Sequence, residues 1–192
     1  METTLSPVPQ RKVISNGMIA MILFLAAEIM FFAGLISAYV VNKAFASAMP
    51  AISQPRLPVE VTAANTILLL ASAVTIFLFS RNYKQEKRSI ALLAATMLIG
   101  IIFIAVQGTE WVQLLSFGFS THSSLYGAFF YTIIGAHALH VIIGLSLLVY
   151  LFVILKKSRP IEDAKSKIAV CSLYWYFVVG IWPVLYFIVY LF

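Results

Sequence analysis

Charge is scarce in this sequence. Asp, Glu, Lys and Arg make up 10% of its 192 residues and hydrophobic side chains 62%, against roughly 25% and 45–50% in a soluble domain. Cysteine is scarcer still. The single Cys171 excludes an internal disulfide and any cysteine-based metal site. There is no internal repeat, the usual mark of an inverted-repeat transporter. There is also no nucleophile beside a base, no P-loop and no dinucleotide fingerprint. Nor does the N-terminus read as a cleavable signal peptide, because Arg11 and Lys12 precede an apolar run too long for one.

What fills the space is long, unbroken apolar runs. Continuous rather than alternating hydrophobicity means helices, not barrel strands, so the expected fold is an all-α integral membrane protein. Five spans are predicted over about 17–42, 59–80, 89–115, 124–155 and 168–192, one membrane domain across residues 1–192. About 20 residues suffice to cross roughly 30 Å of hydrocarbon. The fourth span is longer than that, so it tilts or projects. Pro50, Pro55 and Pro58 break the first connection, and Pro183 is expected to kink the last helix.

Orientation follows from the basic residues. Arg11 and Lys12 precede span one, Arg81, Lys84, Lys87 and Arg88 follow span two, and Lys156, Lys157, Arg159, Lys165 and Lys167 precede span five. With five spans all eleven lie on one side, opposite only Lys43 and Arg56. The positive-inside rule then puts the N-terminus in the cytoplasm and the C-terminus outside. The net charge of +6 is therefore an orientation signal, and nucleic acid is not an expected partner.

Span one, Gly17 to Val41, carries a single charged residue, Glu28, near its middle. A charge at that depth costs about 2.5–3.5 kcal/mol on insertion scales. On a helical wheel Met21, Phe24, Leu25, Phe32, Leu35 and Tyr39 share its face, while Ala26, Ala33 and Ser37 lie opposite and Ala20, Ala27, Gly34 and Ala38 form a side stripe. Small residues favour close helix approach. Glu28 is thus expected to point away from the packed side, towards lipid or another subunit, as a neutral, protonated carboxyl. Two roles stay open: hydrogen-bonding glue, or a proton-related acid with no second membrane-centre group to continue a relay.

His137 and His140 are three residues apart on span four and can share a face. Two histidines so placed cannot supply opposite axial ligands to one haem, and no other span holds a histidine, so they read as structural hydrogen-bonding groups rather than metal ligands. The third, His122, lies in a linker. Glu110 with Trp111 reads as an interfacial acid beside an aromatic anchor at the end of span three. Aromatics crowd span five, among them Tyr174, Trp175, Tyr176, Phe177 and Trp182. Such a surface suits lipid chains and partner helices.

These segments together resemble a known family. FLAAEIMFFAGLISAY, Phe24 to Tyr39, is similar to the subunit III helix of haem–copper terminal oxidases that carries F-(x)2-[SA]-E-(x)2-F-F. Gln107, Glu110 and Trp111 resemble its Q-x-x-E-aromatic segment. SSLYGAFFYTIIGAHALHVIIG resembles its long histidine-bearing helix, and YWYFVVGIWPVLYFIVYL its last one. The motifs run in the family's order from about Gly17 to Phe192, in the short five-helix bacterial form of cytochrome c oxidase subunit III. Tyr176 and Val179 depart from it, standing where the family usually has histidine and aspartate.

The resemblance implies a subunit without catalytic residues, binding no haem or copper itself while partner subunits carry both. It implies two helices packed against three around a V-shaped cleft filled with structural phospholipids, in a bacterial plasma membrane. Oxidase subunit I is the implied main partner, with other oxidase subunits and a respiratory supercomplex around it. The family's membrane glutamate maps onto Glu28, its second glutamate onto Glu110, and its histidine pair onto His137 and His140. Gln107, Trp111, Tyr174, Trp175 and Tyr176 are the further structural or lipid-contact candidates. The implied role is to support proton uptake and to stabilise subunit I. A quinol oxidase or nitric oxide reductase accessory subunit is the nearest alternative. From another class stands a small proton-coupled transporter using Glu28, and a membrane cytochrome using the two histidines is a third possibility.

Overall fold

The structure, a computed structural model, describes residues 15–46, 59–85, 87, 89–117, 125–157 and 161–191. The N-terminal basic pair, Arg56, Arg88, Arg159, the three prolines of the first connection and His122 lie outside the described residues. The elements are α1 (Asn16–Ala46), α2 (Val59–Lys84), α3 (Ile90–Ser116), α4 (Leu125–Lys156) and α5 (Ile161–Tyr186), the last continued by a π-helical segment, Phe187–Leu191. Each of the five α-helices is long and apolar enough to cross a membrane.

Three boundaries differ from the sequence expectation, the first being the end of α1, which runs on to Ala46 rather than about 42. α2 runs on to Lys84 and takes in half of the basic turn, and α5 starts at Ile161 rather than near Ile168. Charge ends neither helix. It ends only the stretch that hydrocarbon can hold, and Lys, Glu and Ala are good helix formers in water. At its far end α5 passes through Pro183, which offers no N–H, and the winding becomes π from Phe187.

Burial repeats with a seven-residue period. On α3 the buried positions are Leu93, Thr96, Gly100, Phe103, Gln107, Glu110 and Leu114, and on α2 the series runs from Thr62 to Tyr83 with the same rhythm. That is one seam per helix, as in coiled-coil packing. α5 differs, burying residues around more of its circumference because it touches α1, α2 and α4. Half of its most apolar stretch is buried, against 11% for α1. The expected division into two helices against three is therefore not visible in this packing, since α5 joins α1, α2 and α4 and α3 contacts both α2 and α4.

Three of the aromatics of α5, Tyr174, Trp175 and Trp182, thus face the interior. Trp175 and Trp182 are fully buried and Tyr174 nearly so, a correction to the lipid-facing surface expected from sequence. Hydrocarbon offers an indole N–H no partner, so each indole finds one on α2. Trp175 donates to Ser72 Oγ at 3.0 Å and Trp182 to Thr66 Oγ1 at 2.9 Å. Ser80 with Ser172 (3.0 Å) and Tyr186 with the Val59 carbonyl (3.2 Å) extend these rungs along the antiparallel pair.

Trp175 fits because two glycines make room for it. A methyl added at Gly100 would lie 2.7 Å from Trp175 Cη2 and 2.9 Å from Leu145 Cδ2. At Gly144 it would lie 2.9 Å from Trp175 Cε3 and 3.0 Å from Cζ3. The ring cannot retreat without breaking its bond to Ser72. Overpacking costs about 1–3 kcal/mol, which outweighs the ~1 kcal/mol of helix propensity gained from Gly→Ala. Gly100→Ala and Gly144→Ala should therefore lower the thermal unfolding midpoint in detergent. Gly108→Ala and Gly135→Ala, where an added methyl meets nothing within 4 Å, should leave it level or raise it.

Candidate functional site

Two polar clusters lie inside the bundle. The first joins α1 to α4. His140 Nε2 stands 2.9 Å from Glu28 Oε2, while its Nδ1 lies 2.7 Å from the carbonyl of Ala136. Each residue is near the middle of its helix. Their side chains are 18% (Glu28) and 10% (His140) exposed, so the pair sits at the edge of the bundle.

The geometry limits what the pair can do. A carbonyl oxygen only accepts, so the Ala136 carbonyl fixes Nδ1 as the protonated nitrogen. A contact of 2.9 Å between Nε2 and Oε2 then needs one proton between them. That proton resides on the carboxyl, giving two neutral groups, or on the imidazole, giving an ion pair, with the heavy atoms unmoved. One group that can hold a proton thus faces another that can take it.

This corrects two sequence expectations. Glu28 does not turn away from the packed side of α1, and it does not stand alone. Leu25, Phe32 and Tyr39, seven residues apart and on its face, are the buried positions of α1. Ala26, Ala27, Ala33, Gly34 and Ser37 are exposed. The bulky face wins because aromatic rings receive it. Phe32 meets His140 edge-on at 5.1 Å and Phe177 at 6.3 Å, and Phe24 stacks on Tyr174 at 6.4 Å. Tyr174 also donates to the His140 carbonyl at 3.2 Å, tying α5 to the same turn of α4.

The second cluster lies where α2 begins and α3 ends. Glu110 is 3% exposed, so it is an interior group rather than the interfacial one expected. The Thr62 hydroxyl stands 3.1 and 3.0 Å from its two oxygens, and Gln107 Nε2 donates to Oε2 at 2.8 Å. The same nitrogen lies 3.1 Å from the Tyr190 hydroxyl. Trp111 is partly buried beside this cluster in sequence, and its indole nitrogen has no partner among the described residues.

The two histidines part company. His140 turns to α1, whereas His137, 1% exposed, stacks on Trp182 at 4.8 Å and meets Phe103 edge-on at 6.1 Å. A spacing of three on a helix gives neighbouring positions that different helices can claim. Among the described residues no three His, Cys, Asp or Glu side chains come together as a metal site would require. Of the departures noted in span five, Val179 is buried in the core. The Tyr176 hydroxyl makes no hydrogen bond among the described residues, and its side chain lines a groove between α1, α2 and α5. Sequence reasoning missed Thr62, Asn65, Thr66 and Ser72, the small polar residues of α2 that receive α3 and α5. Their recurrence on one face of an otherwise apolar helix was the available signal.

Comparison with known proteins agrees with this architecture. A profile of the family described as cytochrome c oxidase subunit III matches residues 1–192. A probable cytochrome c oxidase subunit 3 of Nocardia farcinica is 34% identical over 175 residues, covering 87% of this chain and 85% of that protein. The cytochrome c oxidase subunit 3 of Corynebacterium diphtheriae is 32% identical, covering 88% of this chain and 84% of that protein. That of Coturnix japonica is 34% identical over 86% of this chain, which spans 66% of the bird protein. With a family match along its whole length and relatives above 30% identity, this five-span chain belongs to the cytochrome c oxidase subunit III family, as a membrane subunit of a haem–copper oxidase.

Proposed function

We propose that this chain is a non-catalytic subunit of a proton-pumping oxygen reductase, packed beside the haem- and copper-bearing subunit I. Its membrane is a bacterial plasma membrane, and its N-terminus is cytoplasmic. It stabilises its partner, binds phospholipid and supports proton uptake. The observation that carries the proton role is the Glu28–His140 pair. Nδ1 is held by the Ala136 carbonyl, which leaves Nε2 and Glu28 Oε2 2.9 Å apart, a contact short enough to pass a proton. The pair sits at the edge of the bundle at mid-span, within reach of a neighbouring subunit.

Substitution separates a proton carrier from structural glue. The amide of Glu28→Gln can still donate to Nε2, so the helix pairing survives while the exchangeable acid is gone. The expected outcome is an oxidase that purifies with full haem content but takes up protons more slowly and inactivates sooner during turnover. Unchanged proton uptake and unchanged lifetime in Glu28→Gln would reduce the pair to a structural hydrogen bond. Glu28→Ala also strands Nε2, at a cost of about 1–3 kcal/mol, and should loosen the complex as well. Flux of protons through the isolated chain in liposomes would instead favour the transporter reading.

The lipid role rests on a groove of about 500 Å³ between α1, α2 and α5. Arg81, Lys84 and Lys165 line it together with apolar side chains such as Met18, Phe77 and Leu173, and no acid among the described residues lines it. Basic residues at the cytoplasmic end of an apolar groove suit an anionic lipid headgroup above its acyl chains. Native mass spectrometry of the complex should show bound anionic phospholipid that is depleted when all three cations are changed to glutamine. Equal retention by the triple variant would remove this groove from the lipid account.

A further inference from the structure

Besides Trp111 Nε1, four buried side-chain polar atoms make no hydrogen bond among the described residues. They are Asn65 Oδ1, Gln107 Oε1 and both ring nitrogens of His137. The three residues are 3%, 3% and 1% exposed and belong to α2, α3 and α4. All three lie around Phe103 of α3. Asn65 Nδ2 donates to the Phe103 carbonyl at 3.1 Å, Gln107 is one turn further along α3, and the Phe103 ring meets His137 at 6.1 Å and Trp182 at 5.0 Å.

Turning the amides over does not help. Facing an ionised Glu110, Gln107 presents its NH2, because its oxygen there would face a carboxylate oxygen that can only accept. Asn65 must present its NH2 to a carbonyl. Two acceptors are thereby fixed facing inward. His137, whichever tautomer it adopts, adds one donor and one acceptor.

The chemistry of these groups selects the occupant. An apolar molecule would leave all of them unpaired. A cation would find two amide oxygens and no free carboxylate, since Glu110 is already bonded to Thr62 and Gln107. Water can donate to both amide oxygens and accept from the imidazole N–H, and buried waters commonly make about three such bonds. We propose that Asn65, Gln107 and His137 form a built hydration site, holding one or a few ordered water molecules between α2, α3 and α4. The water completes a network that already runs from Thr62 through Glu110 and Gln107 to Tyr190, and it brings α4 into that network by hydrogen bonds as well as ring contacts.

The molecule supplies its own control. Trp175 and Trp182 are both fully buried, and both indole nitrogens are bonded to α2. Only Trp182 stacks on His137. X-ray radiolytic footprinting of the intact oxidase in 18O-labelled water generates hydroxyl radicals from bound waters as well as from solvent. His137 and Trp182 should incorporate label several-fold faster than Trp175. Incorporation at Trp175's rate would overturn the proposal. In the double variant Asn65→Leu with Gln107→Leu the rate at Trp182 should fall to that of Trp175, and persistence of fast labelling would place the water elsewhere. If that variant does not assemble, the comparison of the two tryptophans in the unaltered protein still decides.

Discussion

Hydrocarbon offers no hydrogen-bond partner, and that constraint organises this bundle more than the apolar content of its helices does. Lipid tails attract a Leu as well as another Leu does, so apolar surface gives little reason for one helix face to seek another. Polar groups supply the reason. Trp175 and Trp182 reach Ser72 and Thr66, Asn65 reaches the Phe103 carbonyl, Thr62 reaches Glu110, and His140 reaches Glu28. Each of these bonds crosses from one helix to another. Together they settle which faces of α1, α2, α3, α4 and α5 meet, and the aromatic rings fill the space between them.

This arrangement explains why α5 is central although it is less apolar than its neighbours. It carries the largest polar-tipped rings, and these need partners on more than one side. Glycine at positions 100 and 144 lets the Trp175 ring lie between α3 and α4 while its nitrogen stays with α2. α1, by contrast, is held on one face only, through Leu25, Glu28, Phe32 and Tyr39. Most of its remaining surface is exposed in the isolated chain, including Ala20, Ala26, Ala27, Ala33 and Gly34, which are suited to close approach by another helix.

Much of this was legible in the sequence. The five spans and the odd residue Glu28 followed from length, hydropathy and charge alone, and the motifs around Glu28, Gln107 and His137 carried the family. What the sequence obscured was the third dimension of each helix. A wheel places Glu28 relative to Phe32 and Ala33, but it does not say whether the bulky or the small side is covered. Here aromatic rings on α4 and α5 receive the bulky side. In the same way His137 and His140 are adjacent in one helix yet answer to different neighbours, and Glu110 is near a helix end yet inside the bundle. Such facts depend on what stands opposite, and no single helix contains them.

The central claim is that polar pairs between helices, rather than apolar bulk, hold the bundle in register, and Glu28 with His140 is the pair that docks α1. A double-mutant cycle measures it directly, with Glu28→Ala, His140→Leu and their combination assayed for unfolding free energy in the intact complex. Interhelical pairs in membranes show coupling of about 0.6–1.7 kcal/mol, and the account predicts a value in that range. Effects that simply add, to within roughly 0.3–0.5 kcal/mol, would show that the two residues act independently and that this pair does not dock α1.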